Sequence, residues 1–266
     1  MDLELIGRTA IVTGGSRGIG KAIARELALE GVTVAIVARG QDYLEATASE
    51  IAGETSQRIV PITADTSNDE SVSAMVRRGM ESLGRIDILV NCAAKAGGQG
   101  PVPAIQDITT ELLWDDVNVK VMGYLRCAKE VAPHMREQGF GRIINISGLA
   151  TRQSGSTIGS IRNVAVAALT KNLADELGPH GINVTVVHPG ITRTENTPRV
   201  LAAQAGSQGI SPEEVERRMA QANSVRRVIT AGEVAYVVAF LASPKSGAIN
   251  GDAIAVGGGV GRAIHY

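Results

Sequence analysis

The feature that most constrains this chain is a rhythm. Short runs rich in valine, isoleucine and alanine recur at residues 9–12, 32–38, 59–64, 86–90, 142–147, 182–187 and 252–256, with helical-period segments between them. Runs this continuous suit strands covered on both faces, because a strand with one wet face alternates polar and apolar residues. The segments between carry one-sided stripes: Ile19, Ile23 and Leu27 repeat at i+4, as do Leu169, Leu173 and Leu177. That spacing puts each set on one helical face. Ser67-Asn68-Asp69-Glu70, Ser211-Pro212-Glu213-Glu214 and Thr230-Ala231-Gly232-Glu233 read as capping boxes, the second with proline at the first helical position. Repeated strand–helix alternation predicts an α/β chain, a doubly wound parallel sheet of about seven strands with helices on both faces. The 266 residues suit one such domain. Residues 195–227 break the rhythm: they are polar, contain Gly206 and Gly209, and hold an extra helix. They read as a lid or substrate insertion.

Charge and composition exclude several classes. The 26 basic and 27 acidic residues leave a net charge of −1, and no basic stripe is present to displace counterions, so no nucleic-acid partner is expected. No apolar run reaches membrane-spanning length, so no membrane partner is expected either. Two cysteines, Cys92 and Cys127, give no disulfide framework, and the start Met1-Asp2-Leu3-Glu4 is acidic where a signal peptide would be basic; a reduced, cytoplasmic setting is expected. No His/Cys/Asp cluster has metal-ligand spacing, so no metal is expected.

The first strand runs into Thr13-Gly14-Gly15-Ser16-Arg17-Gly18-Ile19-Gly20 and then a helix. Glycines there let the backbone turn tightly and approach a pyrophosphate at the positive end of the helix dipole. The spacing is T-G-x-x-x-G-x-G, and with it the chain resembles the short-chain dehydrogenase/reductase family over nearly its whole length. Asp65, closing the third strand, matches the family's adenine-contacting Asp. Asn91-Cys92-Ala93-Ala94 is similar to its N-N-A-G segment, Asn118 stands where it keeps a catalytic Asn, and Asn145-Ile146-Ser147 matches the strand that carries its catalytic Ser. Residues 189–194 match P-G-x-x-x-T, which in the family fixes the nicotinamide carboxamide. The resemblance implies a Rossmann-type fold. It also implies a cofactor site drawn from Gly14, Ser16, Arg17, Gly18, Ile19, Gly20, Arg39, Asp65, Thr66, Asn91, Ala93, Asn163, Pro189, Gly190, Ile191 and Thr194.

An acidic residue about 20 positions past the last glycine normally takes the ribose 2′-hydroxyl of NAD. Here that count lands on Ala38-Arg39. A carboxylate would repel a 2′-phosphate, whereas Arg39 would bind it, with Arg17 closing from the glycine loop. NADP(H) is therefore expected in preference to NAD(H).

Members of the resembled family carry Tyr-x-x-x-Lys on the helix after the serine strand, both on one face. In the family the lysine grips the nicotinamide ribose and lowers the phenol's pKa, so that the tyrosine can pass a proton. Here residues 156–171 read S-T-I-G-S-I-R-N-V-A-V-A-A-L-T-K. Anchored on Leu169-Thr170-Lys171, Gly159 falls at the tyrosine and Asn163 at the lysine; a one-residue slip gives Ile158 and Arg162. No tyrosine lies between Tyr124 and Tyr236. Ser147, Asn118 and Asn163 remain as catalytic candidates, since a neutral amide can still hydrogen-bond ribose hydroxyls. Ser147 reads equally as a strand-end hydroxyl capping backbone. Ser156 and Ser160 read as helix-start caps, Arg162 and Lys95 as solvated or paired cations, and His188 as a sheet-end histidine, though each is a conceivable stand-in.

Two readings follow. One is an NADP(H)-dependent oxidoreductase for a carbonyl/alcohol pair, or an activated double bond, of a small-molecule substrate, with a non-standard proton donor. The other is an NADP(H)-binding pseudoenzyme, a sensor or an inactive oligomer partner. The resemblance also implies a homo-oligomer, a tetramer or dimer, using the 117–128 helix and the 256–266 segment that ends in Tyr266.

Overall fold

The computed structural model describes residues 1–95 and 102–261. Seven parallel strands form one sheet: β1 (Thr9–Thr13), β2 (Thr33–Ala38), β3 (Ile59–Thr63), β4 (Ile88–Asn91), β5 (Gly141–Ile146), β6 (Ile182–Pro189) and β9 (Ala253–Val256). Their order is β3-β2-β1-β4-β5-β6-β9. β1 pairs with β2 on one side and β4 on the other, so the order reverses there. That reversal opens a crevice at the strands' C-terminal ends, where open α/β sheets take ligands. Two two-residue strands, β7 (Thr192–Arg193) and β8 (Ile229–Thr230), pair separately in parallel.

Side-chain alternation sorts β1 between the two faces. Ala10 and Val12 join the cluster under α1 (Gly18–Leu29), α2 (Gln41–Thr55) and α9 (Ala231–Ala242). Ile11 joins the one under α3 (Asp69–Leu83), α5 (Gly123–Gln138) and α6 (Thr157–Leu177). The expected doubly wound sheet is thus present, with a buried layer on each side.

Local details depart from the sequence reading. In the run at 86–90 the paired register starts at Ile88, although the Asp87 amide still donates to the Thr9 carbonyl at 3.1 Å and its carbonyl accepts from the Arg142 amide at 2.9 Å. A separate polar network is built on the side chain of Asp87. Its fully buried carboxylate accepts from the Thr9 amide at 3.0 Å and from Arg8 at 3.2 Å and Arg85 at 2.5 Å. Asp87→Ala is expected to cost about 2–3 kcal/mol. That is less than for a fully buried pair, because both arginines are partly exposed and can rehydrate while the Thr9 amide cannot. Urea denaturation checks it; a midpoint matching the parent would refute it. The α3 cap is Asn68, whose Oδ1 accepts from the Ser71 amide at 2.8 Å, and not Ser67. The box at Thr230 and Glu233 is complete. On α6 the buried stripe is Asn163, Val166, Thr170, Ala174 and Leu177, so Leu169 and Leu173 flank it rather than define it. The 195–227 segment holds two helices where one was expected, α7 (Thr197–Gln208) and α8 (Pro212–Gln221), joined through Leu201, Ala205 and Val215. Polar composition hid α7 because only two of its residues are buried. Tyr266 lies outside the described residues.

Candidate functional site

The glycine loop crosses the switch point between β1 and α1. A Cβ on Gly14 (φ +69°) would lie 3.0 Å from the Ala93 backbone, and one on Gly20 only 2.2 Å from the Gly14 carbonyl oxygen. The loop therefore closes on itself only without side chains. The Gly18 amide, at the first turn of α1, donates to Glu195 Oε1 at 2.7 Å. A carboxylate thus sits on the positive end of the helix, the place and charge that suit a phosphate. Thr47 Oγ1 donates to the Ser16 carbonyl at 2.9 Å and pins the loop to α2. Ile19 anchors α1 in the core.

Around this loop stand the other expected residues. Arg17 and Arg39 are exposed, and neither is committed to a hydrogen bond or ion pair among the described residues. Burial raises the Asp65 carboxyl, but hydrogen bonds from Ser67 and the charges of Arg39 and Arg126 outweigh it and hold the group below the ordinary carboxylate range. Thr66 is buried, and its carbonyl accepts from Arg126 at 3.3 Å. Thr13 Oγ1 accepts from the Cys92 and Ala93 amides at 3.1 and 3.2 Å, tying the ends of β1 and β4. Pro189 closes β6, and the Gly190 amide bonds to the Val256 carbonyl at 2.9 Å. Ile191 is exposed, while Thr194 faces the glycine loop, its methyl 3.8 Å from where a Gly18 Cβ would stand.

Beneath the crevice runs a buried polar chain. Asn91 donates to Asn145 Oδ1 at 2.9 Å, Asn145 to Thr170 Oγ1 at 2.9 Å, and Thr170 to the Val166 carbonyl at 2.8 Å. This chain ties α6 to β4 and β5. Arg162 pairs with Asp116 of α4 (Thr110–Val117) at 2.5 Å. Asn163 turns inward, and its Nδ2 lies 3.1 Å from where a Gly148 Cβ would be. Ser147 donates to the Asn163 carbonyl at 3.2 Å, so its hydroxyl is spent on helix backbone while the side-chain position aimed at Asn163 is a glycine. Gly159 is buried, and a Cβ there would lie 2.8 Å from Ser156 Oγ, the cap of α6.

Sequence reasoning missed one residue. α4 and α5 form one long helix interrupted by a wide turn at Asn118–Met122, where the Gly123 amide reaches back to the Asn118 carbonyl. Such turns re-aim side chains and recur at functional sites. Lys120 there is 4% exposed, and its Nζ donates to the Ser147 carbonyl and to Asn163 Oδ1, both at 3.1 Å. Asn118, two positions earlier, faces elsewhere: its Oδ1 accepts from Arg126 at 2.9 Å and its Nδ2 reaches the Ser67 carbonyl at 3.5 Å. Residues two apart on a helix do not share a face. The available signal was periodicity, since Lys120 continues the inward stripe of Tyr124, Cys127, Val131 and Met135. Among the other candidates, Lys95 pairs with Asp115 at 2.9 Å. Burial, then the charges of Arg152 and Lys120, lower His188 to about 4, so it is neutral at pH 7.

Fold and crevice define a Rossmann-type α/β protein with an anion cradle at its switch point. The family model described as enoyl-(acyl carrier protein) reductase matches residues 14–261. Short-chain reductase protein NovJ of Streptomyces niveus is 37% identical over 254 residues, 94% of this chain and 92% of NovJ. The L-sorbose reductase of Gluconobacter frateurii, solved with NADPH and L-sorbose, superposes with a TM-score of 0.93 at 28% identity, covering 99% of this chain and 100% of that one. A xylitol dehydrogenase bound to NAD⁺ gives a TM-score of 0.86, also at 28% identity, over 96% of this chain and 100% of the other. The chain belongs to the short-chain dehydrogenase/reductase family.

Proposed function

We propose that this protein is an NADP(H)-dependent oxidoreductase that interconverts a carbonyl and an alcohol on a small-molecule substrate. The observation that carries this reading is the Gly18 amide, which holds a carboxylate where a cofactor phosphate would sit. The exposed Arg17 and Arg39 side chains make no hydrogen bond or ion pair among the described residues, although the charge of Arg39 acts on Asp65, and the two guanidiniums support a 2′-phosphate over a bare ribose. Bound nicotinamide supplies the hydride. The chain's own part is to hold the phosphates on the loop, to offer the Asn163 amide to ribose hydroxyls, and to cover the substrate with the 195–227 segment as a lid. The relatives named as reductases support the same class of chemistry. Exposed apolar residues on α4 and α6, Leu112, Trp114, Ile161 and Val164, support a homo-oligomer, and two free cysteines fit a cytoplasmic setting.

A second reading, a nucleotide-binding pseudoenzyme, is favoured by what stands after β5 and at the start of α6. Gly148 and Gly159 bring no hydroxyl or phenol, and Tyr124 is no substitute: it is buried, its hydroxyl donates to the Ile146 carbonyl at 2.8 Å, and burial raises its pKa well above normal. NADPH oxidation against ketones, quinones and acyl-thioester carbonyls separates the two. Turnover of one carbonyl class is expected; tight NADPH binding with no turnover of any would establish the second reading instead.

A further inference from the structure

Resting on the proposed NADP(H) binding, we infer that Lys120 supplies, from a different helix, the cationic contact for the nicotinamide ribose that the lysine missing from α6 would otherwise make. The geometry brings three strand ends to this amine. Its Nζ bonds to Ser147 beyond β5 and to Asn163 on α6, while Cys92 beyond β4 and His188 of β6 both feel or exert its charge. Asn163 occupies the lysine position of the resembled family, so the cation reaches the same place from the opposite wall. Gly148 faces Asn163 with no side chain of its own, its would-be Cβ 3.1 Å from Asn163 Nδ2.

A purely structural lysine would be an expensive choice here. Burying an ammonium is costly unless a carboxylate offsets it. Both acceptors of Lys120 are neutral, and its third N–H has no partner among the described residues. Asp116, the acid whose charge acts on Lys120, is engaged by Arg162. Four titratable or charged groups face the amine: Cys92, Asp116, Arg162 and His188. Burial, then Arg162, lowers Lys120 to about 7, while burial raises Cys92 to about 12 and lowers His188 to about 4. Lys120 is therefore the group of this cluster that changes charge near neutral pH. A desolvated amine held only by neutral acceptors is a functional-site candidate.

The test is NADPH titration by fluorescence, with thermal unfolding as the second readout. Lys120→Met is expected to weaken NADPH binding about tenfold to hundredfold, the worth of a charge-assisted hydrogen bond. The unfolding midpoint should be unchanged or higher, because a desolvated charge has been removed. The ammonium is present below its pKa and lost above it. NADPH affinity of the parent should therefore fall between pH 6 and 8 relative to Lys120→Met, which has no amine to titrate. Exchanging the pair, Lys120→Asn with Asn163→Lys, should restore affinity to within about threefold of the parent, as coupled partners do. Equal NADPH affinity in the parent and Lys120→Met, with a lower unfolding midpoint in the variant, would make Lys120 structural and overturn the assignment alone. A parent that binds no nicotinamide nucleotide would overturn the proposed function, and this assignment with it.

Discussion

Gly20→Ala is expected to abolish measurable NADPH binding and to lower the unfolding midpoint by about 6–12 °C. The added methyl would lie 2.2 Å from the Gly14 carbonyl oxygen and 2.8 Å from its carbon. Both are backbone atoms, which cannot rotate away as a side chain can. The loop must therefore open, and the Gly18 amide loses its aim at the anion. Overpacking of this severity costs about 3 kcal/mol, and for a chain of this size each kcal/mol moves the midpoint about 2–4 °C. Gly53→Ala is the control. Nothing lies within 4 Å of its would-be Cβ on α2, so stability should rise by about 0.5–1 kcal/mol with binding unchanged. Calorimetry and fluorescence titration of the two variants check the pair. Parent-like NADPH affinity in Gly20→Ala would show that the loop is no phosphate cradle.

Arg39→Asp should reverse the cofactor preference. Arg39 follows the last residue of β2 and stands beside Asp65, whose carboxyl it helps to keep ionised. In the proposed complex its guanidinium meets the 2′-phosphate in a charge-assisted contact. An aspartate there loses that contact and adds repulsion from a doubly charged group, so NADPH affinity should fall at least about 100-fold. The same carboxylate can accept from the 2′-hydroxyl of NADH, whose affinity should rise. The ratio of the two dissociation constants is the quantity to measure. A parent that binds both nucleotides equally would remove the role assigned to Arg39.

The seven strands were legible because each reads as a short apolar run, buried on both faces in the five central strands and partly exposed in the edge strands β3 and β9; boundaries moved by only one or two residues. Asp87 stands inside one such run, its backbone still bonded to Thr9 and Arg142 while its carboxylate gathers the Thr9 amide, Arg8 and Arg85. The glycine loop was legible for a related reason, since backbone approach forbids side chains at fixed local spacings. Less of the wall formed by β5 and α6 could be read. Ser147 is adjacent to the right turn, yet its hydroxyl bonds to helix backbone and the Cβ direction facing Asn163 belongs to Gly148. Both residues meet Asn163, Ser147 at its carbonyl and Gly148 at its amide, and which of them faces that side chain has no signature in composition.

The sequence by itself determined the α/β alternation, the glycine loop, the arginine past β2 and the absence of a tyrosine on α6, all of which are local patterns. Tertiary structure alone decided which side chains meet. Lys120 and Asn163 touch across 43 positions, and Glu195 reaches Gly18 across 177. The wide turn at Asn118–Met122 brings Lys120 inward and leaves Asn118 to Arg126. Periodicity fixes an angle around one helix axis, but which angle faces the sheet depends on how every neighbouring element packs.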